Sequence, residues 1–169
     1  MRRAVLCSAV SVLVAVAAGC GGSYAFRSAS ALPPKAVEQV DAIDLWVVPP
    51  AAINWDDVPG PDGVQVTVFL YQADHPEPVF VKGTLEFSMY EGRRPREALS
   101  SAEPLRTWTF TQQELATRQM HGPAGWGYGT QLGWGRDVPK SSVITLVVRY
   151  TPPRGPPMSS VPTVIAVPQ

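Results

Sequence analysis

The chain has 169 residues, with 14 basic and 14 acidic side chains, 18 prolines, 14 glycines and two cysteines. That length suits one domain with an appendage, while a formal charge of zero excludes the basic footprint of a nucleic-acid binder. Hydrophobic residues make up 45% of the whole but about 41% of residues 20–169, where 17 valines outnumber nine leucines and favour strands.

At the N-terminus, Arg2 and Arg3 precede an apolar run, Ala4 to Ala18, interrupted by Ser8 and Ser11. As a helix, fifteen residues rise about 22 Å, short of the roughly 30 Å hydrocarbon core, so the segment reads as an export signal rather than a span. Small residues then lead into Cys20. The run Val16-Ala17-Ala18-Gly19-Cys20 resembles the lipobox of bacterial lipoproteins, with Ala17 standing where that class more often has leucine. The resemblance implies cleavage before Cys20, lipidation of that residue and an extracytoplasmic address in the cell envelope. Ala15-Val16-Ala17 also fits an ordinary secretory cleavage site, which would release a free thiol. On the lipoprotein reading, residues 1–19 are the signal, 20–41 the lipidated start and a flexible tether, and 42–169 the folded domain. Cys7 leaves with the signal and Cys20 carries lipid, so the domain has no disulfide and relies on its core. Residues 20–169 hold 12 basic and 14 acidic side chains, a balance that argues against docking by charge on an anionic membrane.

The stretch 21–35, small, polar and closed by Pro33-Pro34, reads as a tether spanning roughly 20–25 Å. A short helical turn is expected over 36–41. From Ile43 the period is two: Ile43, Leu45 and Val47 alternate with Asp44 and Trp46 until Pro49-Pro50 stops the strand. After a turn-rich loop closing on Pro61-Asp62-Gly63, Val64, Val66, Val68 and Leu70 share one face, with Gln65, Thr67, Phe69 and Tyr71 opposite. Val79 to Val81 pairs briefly, and Leu85, Phe87 and Met89 mark the next strand. Another strand runs over 105–110, with Trp108 and Phe110 inward. Thr111-Gln112-Gln113-Glu114 is a capping-box pattern that predicts a helix from Gln112 to Gln119, ended by Gly122-Pro123. Strands are expected over 126–134 and 143–150, the latter with Ile144, Leu146, Val148 and Tyr150 inward, and a Pro-flanked edge strand over 161–167. About seven or eight short strands and one small helix predict an all-β fold, an antiparallel β-sandwich of Ig-like or transthyretin-like type.

The segment Gly125 to Gly135 alternates glycine with large residues, so that Trp126, Tyr128, Thr130, Leu132 and Trp134 share one face of a strand and the other is nearly bare. Two readings stand. The rings plug the core while the glycines admit a neighbouring helix, or Trp126, Tyr128 and Trp134 form a flat platform for sugar rings. Catalysis is not expected: residues 20–169 hold two histidines, His75 and His121, both beside proline-containing turns, with no nucleophile elbow. Asp56, Asp57 and Asp62 share one loop without a calcium-loop spacing, and Asp74, His75 and Glu77 are too few for closed zinc, so neither a metal nor a cofactor is expected. Arg93, Arg94 and Arg96 read as a solvated basic loop, and Pro152 to Pro157 as a rigid connection.

The run from about Val64 to Val167, with GTLEFSMY, EPLRTWTFTQQELA, GWGYGTQLGWG and ITLVVRYTPP, resembles bacterial lipoproteins of the kind met in planctomycetes. That resemblance implies an envelope compartment and one coherent domain. Asp62 to Gln72 is similar, in its alternation, to the type VI secretion lipoprotein family, which implies a lipid anchor, a transthyretin-like sandwich and an inner-membrane protein partner. The expectation is a non-enzymatic, lipid-anchored envelope protein: a membrane contact through Cys20, a protein partner, and alternatively a glycan bound by the aromatic face.

Overall fold

The aliphatic residues that alternate along 64–70 become the centre of one sheet in the computed structural model, which describes residues 32–168. In chain order these residues give β1 (Ala42–Trp46), β2 (Ala52–Ile53), β3 (Gly63–Tyr71), β4 (Thr84–Glu91), α1 (Arg96–Leu99), β5 (Arg106–Phe110), α2 (Gln112–Ala116), β6 (Gln119–Gly122), β7 (Gly125–Gly133), β8 (Val143–Thr151), β9 (Met158–Ser159) and β10 (Thr163–Ala166). One sheet is ordered β1-β3-β7-β6, with β2 also on β3; the other is ordered β10-β8-β4-β5, with β9 also on β8. Every pairing within the sheets is antiparallel. The fold is an all-β sandwich.

Its core is where alternation placed it. Val64, Val66, Val68 and Leu70 of β3 are buried in one cluster with Leu85, Phe87 and Met89 of β4 and Ile144, Leu146, Val148 and Tyr150 of β8. Each such side chain contributes about 1.5–3 kcal/mol through removal from water. Proline trims the edges: β1 stops before Pro49-Pro50, and the four-residue edge strand β10 lies between Pro162 and Pro168.

Several local expectations change. The predicted helix over 112–119 stops at Ala116, and Gln119–Gly122 pairs with Gly125–Tyr128 as β6. The capping box does form, with Thr111 N–H donating to Glu114 Oε2 at 2.8 Å and Glu114 N–H to Thr111 Oγ1 at 3.3 Å. The first of these bonds holds the Glu114 carboxyl below its usual range. Only Leu115 of the helix is buried, so one turn is all that packing sustains, and hairpin pairing takes the residues beyond it. The polar connection over 91–104 contributes the extra helix α1, while β2 and β9 add strands of two residues each.

Residues 36–41, read as a helical turn at the end of the tether, form no helix but an irregular segment with a β-bridge at Val37 and bends at Glu38 and Asp41. Val37 bridges Val81 in parallel, Val40 is buried, and Asp41 N–H donates to Tyr71 O at 2.8 Å. Val37, Val40 and Asp41 thus already pack or pair with the sandwich ahead of β1.

Candidate functional site

The glycine-aromatic strand is β7, and its register decides what each face does. Gly63 pairs with Gly133, Gln65 with Gln131, Thr67 with Gly129, and Met120 of β6 with Gly127. Tyr128 and Trp134 point into the sandwich at 2% and 1% exposure. Trp126 is partly buried, edge-on to Phe80 at 5.6 Å and to His121 at 4.9 Å between ring centroids. A sugar needs an accessible ring face, so Tyr128 and Trp134 do not form the platform, and Trp126 is half-covered by its neighbours. Among the described residues no helix packs on the glycine face either. Side chains from other strands and a loop cover it: Phe69 and Met120 over Gly127 and Gly129, and Trp55 over Gly63 and Gly133.

Each buried ring has structural work. The Tyr128 hydroxyl accepts a hydrogen bond from Val81 N–H at 2.9 Å, and the Tyr150 hydroxyl lies against the carbonyls of Glu38 and Lys82. Burial pushes both phenols up to about 12, with neighbouring Tyr128 and Glu38 adding to the Tyr150 shift. An unfolded tyrosine ionises near 10, so below that pH these groups give their full stabilisation. Between pH 10 and 12 the unfolded chain ionises first, so the domain is expected to lose stability as pH rises, by up to about 1.4 kcal/mol per pH unit for the more deeply buried Tyr128 and by less for Tyr150. Thermal midpoints measured from pH 8 to 12 should fall above 10, and Tyr128→Phe should make that fall shallower.

The aromatic surface that solvent reaches lies elsewhere. Trp46 is 46% exposed and Trp55 43%. Trp46 stands at the end of β1, opposite Thr67, and meets Phe69 edge-on at 5.0 Å. Phe69 is buried yet belongs to the outer face, outside the core cluster, under Trp46 and above Gly127. Met120, 37% exposed, extends the patch over Gly129, with the Thr67 hydroxyl 3.8 Å from its sulfur. The sequence signal was present: tryptophan on the polar parity of a strand beginning at Ile43.

No family model, curated protein or solved structure matches the chain. Cys20 lies outside the described residues. In the acidic loop the carboxylates serve the backbone: Asp62 Oδ2 accepts from Trp55 N–H at 2.7 Å and Asp56 N–H at 3.2 Å, and Asp56 Oδ1 from Val58 N–H at 2.7 Å. Among the described residues no three His, Cys, Asp or Glu side chains converge on a metal-sized site. His75 Nδ1 lies 2.8 Å from the Glu77 carbonyl within its own turn. Of the three arginines read as a basic loop, Arg94 is tied down, its N–H donating to Thr145 Oγ1 at 2.8 Å and its Nε to Glu91 O at 3.0 Å. The proline-rich loop is tied down too, by Gln39 Nε2 donating to Arg154 O.

At the end of the sandwich beside Trp55, polar groups stand close to an exposed ring. Arg106 of β5 reaches across to the first sheet, its Nη1 donating to Trp134 O at 2.7 Å and to Asp137 Oδ2 at 2.8 Å. Trp108 Nε1 donates to Gly133 O at 3.1 Å, with the Arg106 guanidinium 5.5 Å from its ring centroid. Trp134 Nε1 donates to Pro61 O at 2.8 Å, and its N–H to Asp62 O at 3.0 Å, fixing the loop to β7. Trp134 thus holds this corner together as a positioning residue.

Proposed function

We propose that the chain is a lipid-anchored cell-envelope protein whose sandwich is a non-enzymatic interaction module, held to the membrane through Cys20 and engaging a protein partner by the outer face of its first sheet. The observation that carries the reading is the patch of Trp46, Phe69 and Met120 on a sheet face that elsewhere shows the polar side chains Gln65 and Gln131. A tryptophan and a methionine held half-exposed around a buried phenylalanine, on a glycine floor that keeps the surface flat, match the anchor residues and adaptable contacts that protein interfaces favour. The lipobox-like run ending at Cys20 and the small polar stretch after it support the anchor and the reach. The fold beneath is a plain sandwich; its finer kinship with the transthyretin-like module of the type VI secretion lipoproteins is part of the same proposal.

The test uses the full chain in intact cells. A photoreactive amino acid at position 46 is expected to give one discrete adduct, and the same probe at Arg149, in the other sheet, none. Cys20→Ser should abolish incorporation of labelled palmitate and move the chain out of the membrane fraction. Equal crosslinking from both positions, or palmitate retained in Cys20→Ser, would overturn the reading.

A further inference from the structure

We infer that the cleft beside Trp55 is a binding site for a single neutral sugar ring, on a surface separate from the Trp46 patch. Gly63 lies four residues along β3 from Thr67, placing Trp55 roughly 13 Å from the row that carries Trp46.

Trp55 is seated rather than merely exposed. The six-membered edge of its indole lies over Gly63 and Gly133, paired glycines of β3 and β7, and a Cβ at position 133 would stand 3.3 Å from Trp55 Cζ2. A Cβ at position 63 would collide outright with Cη2. One side of the ring is thus packed on bare backbone while 43% of the residue stays open. Its backbone is fixed by the Asp62 carboxylate, and the loop is closed by Asn54 Nδ2 donating to Val58 O at 2.6 Å and Asp56 N–H donating to Asn54 Oδ1 at 3.0 Å. Folding therefore bears the cost of ordering the ring before any ligand arrives, which is what preorganisation means for affinity.

The cleft beside it has a volume of about 340 Å³, the small end of ligand sites and suited to one ring rather than a chain. Trp55 and Val138 give it apolar walls, and Asp62 and Arg106 bring polar groups. Arg106 is held in place by Trp134 O and Asp137, yet its buried Nε has no partner among the described residues. Arg106 and Asp137 cancel in charge, leaving Asp62, so nothing here favours a phosphate or an acidic sugar. A neutral pyranose matches what remains: a C–H face for the indole, hydroxyl donors for a carboxylate and hydroxyl acceptors for a guanidinium.

The experiment titrates the full chain, in a detergent without a sugar headgroup, with cellotetraose, maltotetraose, mannotriose and N-acetylglucosamine trisaccharide, reading tryptophan fluorescence and heat. At least one is expected to bind at millimolar concentration or below. Trp55→Ala should weaken that binding roughly tenfold or more in a domain that still unfolds cooperatively, Trp55→Phe should weaken it less, and Trp46→Ala should leave it unchanged. Absence of binding across the panel, or binding indifferent to Trp55→Ala, overturns the site. Neither result bears on the crosslinking from position 46, so the two readings fail separately.

Discussion

Gly63→Ala is expected to destabilise the domain by about 3 kcal/mol, while Gly129→Ala, one of the bare positions of β7, changes stability by under about 1 kcal/mol. Both glycines sit on the outer face of the first sheet, in strands that pair with each other, and sequence alone does not rank them. What differs is the neighbour a methyl group would meet. At Gly63 it would meet the Leu132 carbonyl and, at 2.8 Å, the Gly133 Cα, both backbone of the paired strand, together with the Trp55 ring. Backbone in a ladder cannot step aside without opening the β3–β7 pairing at the centre of the sheet. At Gly129 the methyl would stand 2.8 Å from Met120 Sδ, near the end of a flexible side chain that is already 37% exposed. Methionine re-rotamers cheaply, and alanine recovers part of the backbone entropy that glycine forfeits in a strand. Urea unfolding of the two variants gives the ranking directly. Gly63→Ala should also shift Trp55 emission, because the ring loses its seat; equal midpoints for the two variants would refute this account.

The same pair of glycines shows where sequence reasoning stops. Period two identified the residues sharing each face of 126–134 and the core residues of 64–70, 85–89 and 144–150, because a side chain's face follows from the pleat alone. Whether the ring-bearing face of β7 looks into the sandwich or out of it depends on what other segments bring to the glycine face. Phe69 and Trp55 come from roughly 60 and 80 residues upstream of the β7 glycines they cover, and Met120 from β6, just past the end of the predicted helix, and no local pattern announces them. The capping box was legible because it is a four-residue interaction, whereas the end of α2 is set by pairing between β6 and β7. Strands of two residues, β2 and β9, are too short to show a period at all. Trp46 and Trp55 were visible as residues but not as a surface. Alternation puts Trp46 on the outward parity, but its place beside Phe69 in the Thr67 row and the folding of the loop at 54–62 back over Gly63, which seats Trp55, are tertiary facts.

Trp134→Ala is expected to cost about 3–5 kcal/mol, the most of any single truncation argued from this structure. The ring is among the largest fully buried side chains, and its removal leaves a cavity between two sheets that meet there through Arg106 and Trp108. Trp134→Phe separates the two things the indole does. Phenylalanine keeps most of the apolar volume but cannot donate to Pro61 O, which leaves a carbonyl without its donor at a cost of about 1–3 kcal/mol. Because that bond ties the 54–62 loop to β7, the damage should be local. Hydrogen exchange at the Trp55 and Asp56 amides, which donate to Asp62, should speed up in Trp134→Phe, while the amides of β4 and β8 keep the rate set by global unfolding. If every amide changed together, the indole would be filling space and nothing more. Selective loosening of the loop would instead make Trp134 the residue that transmits the rigidity of the core to the exposed face of Trp55, so a ring only 1% exposed would still set the shape of the surface that solutes meet.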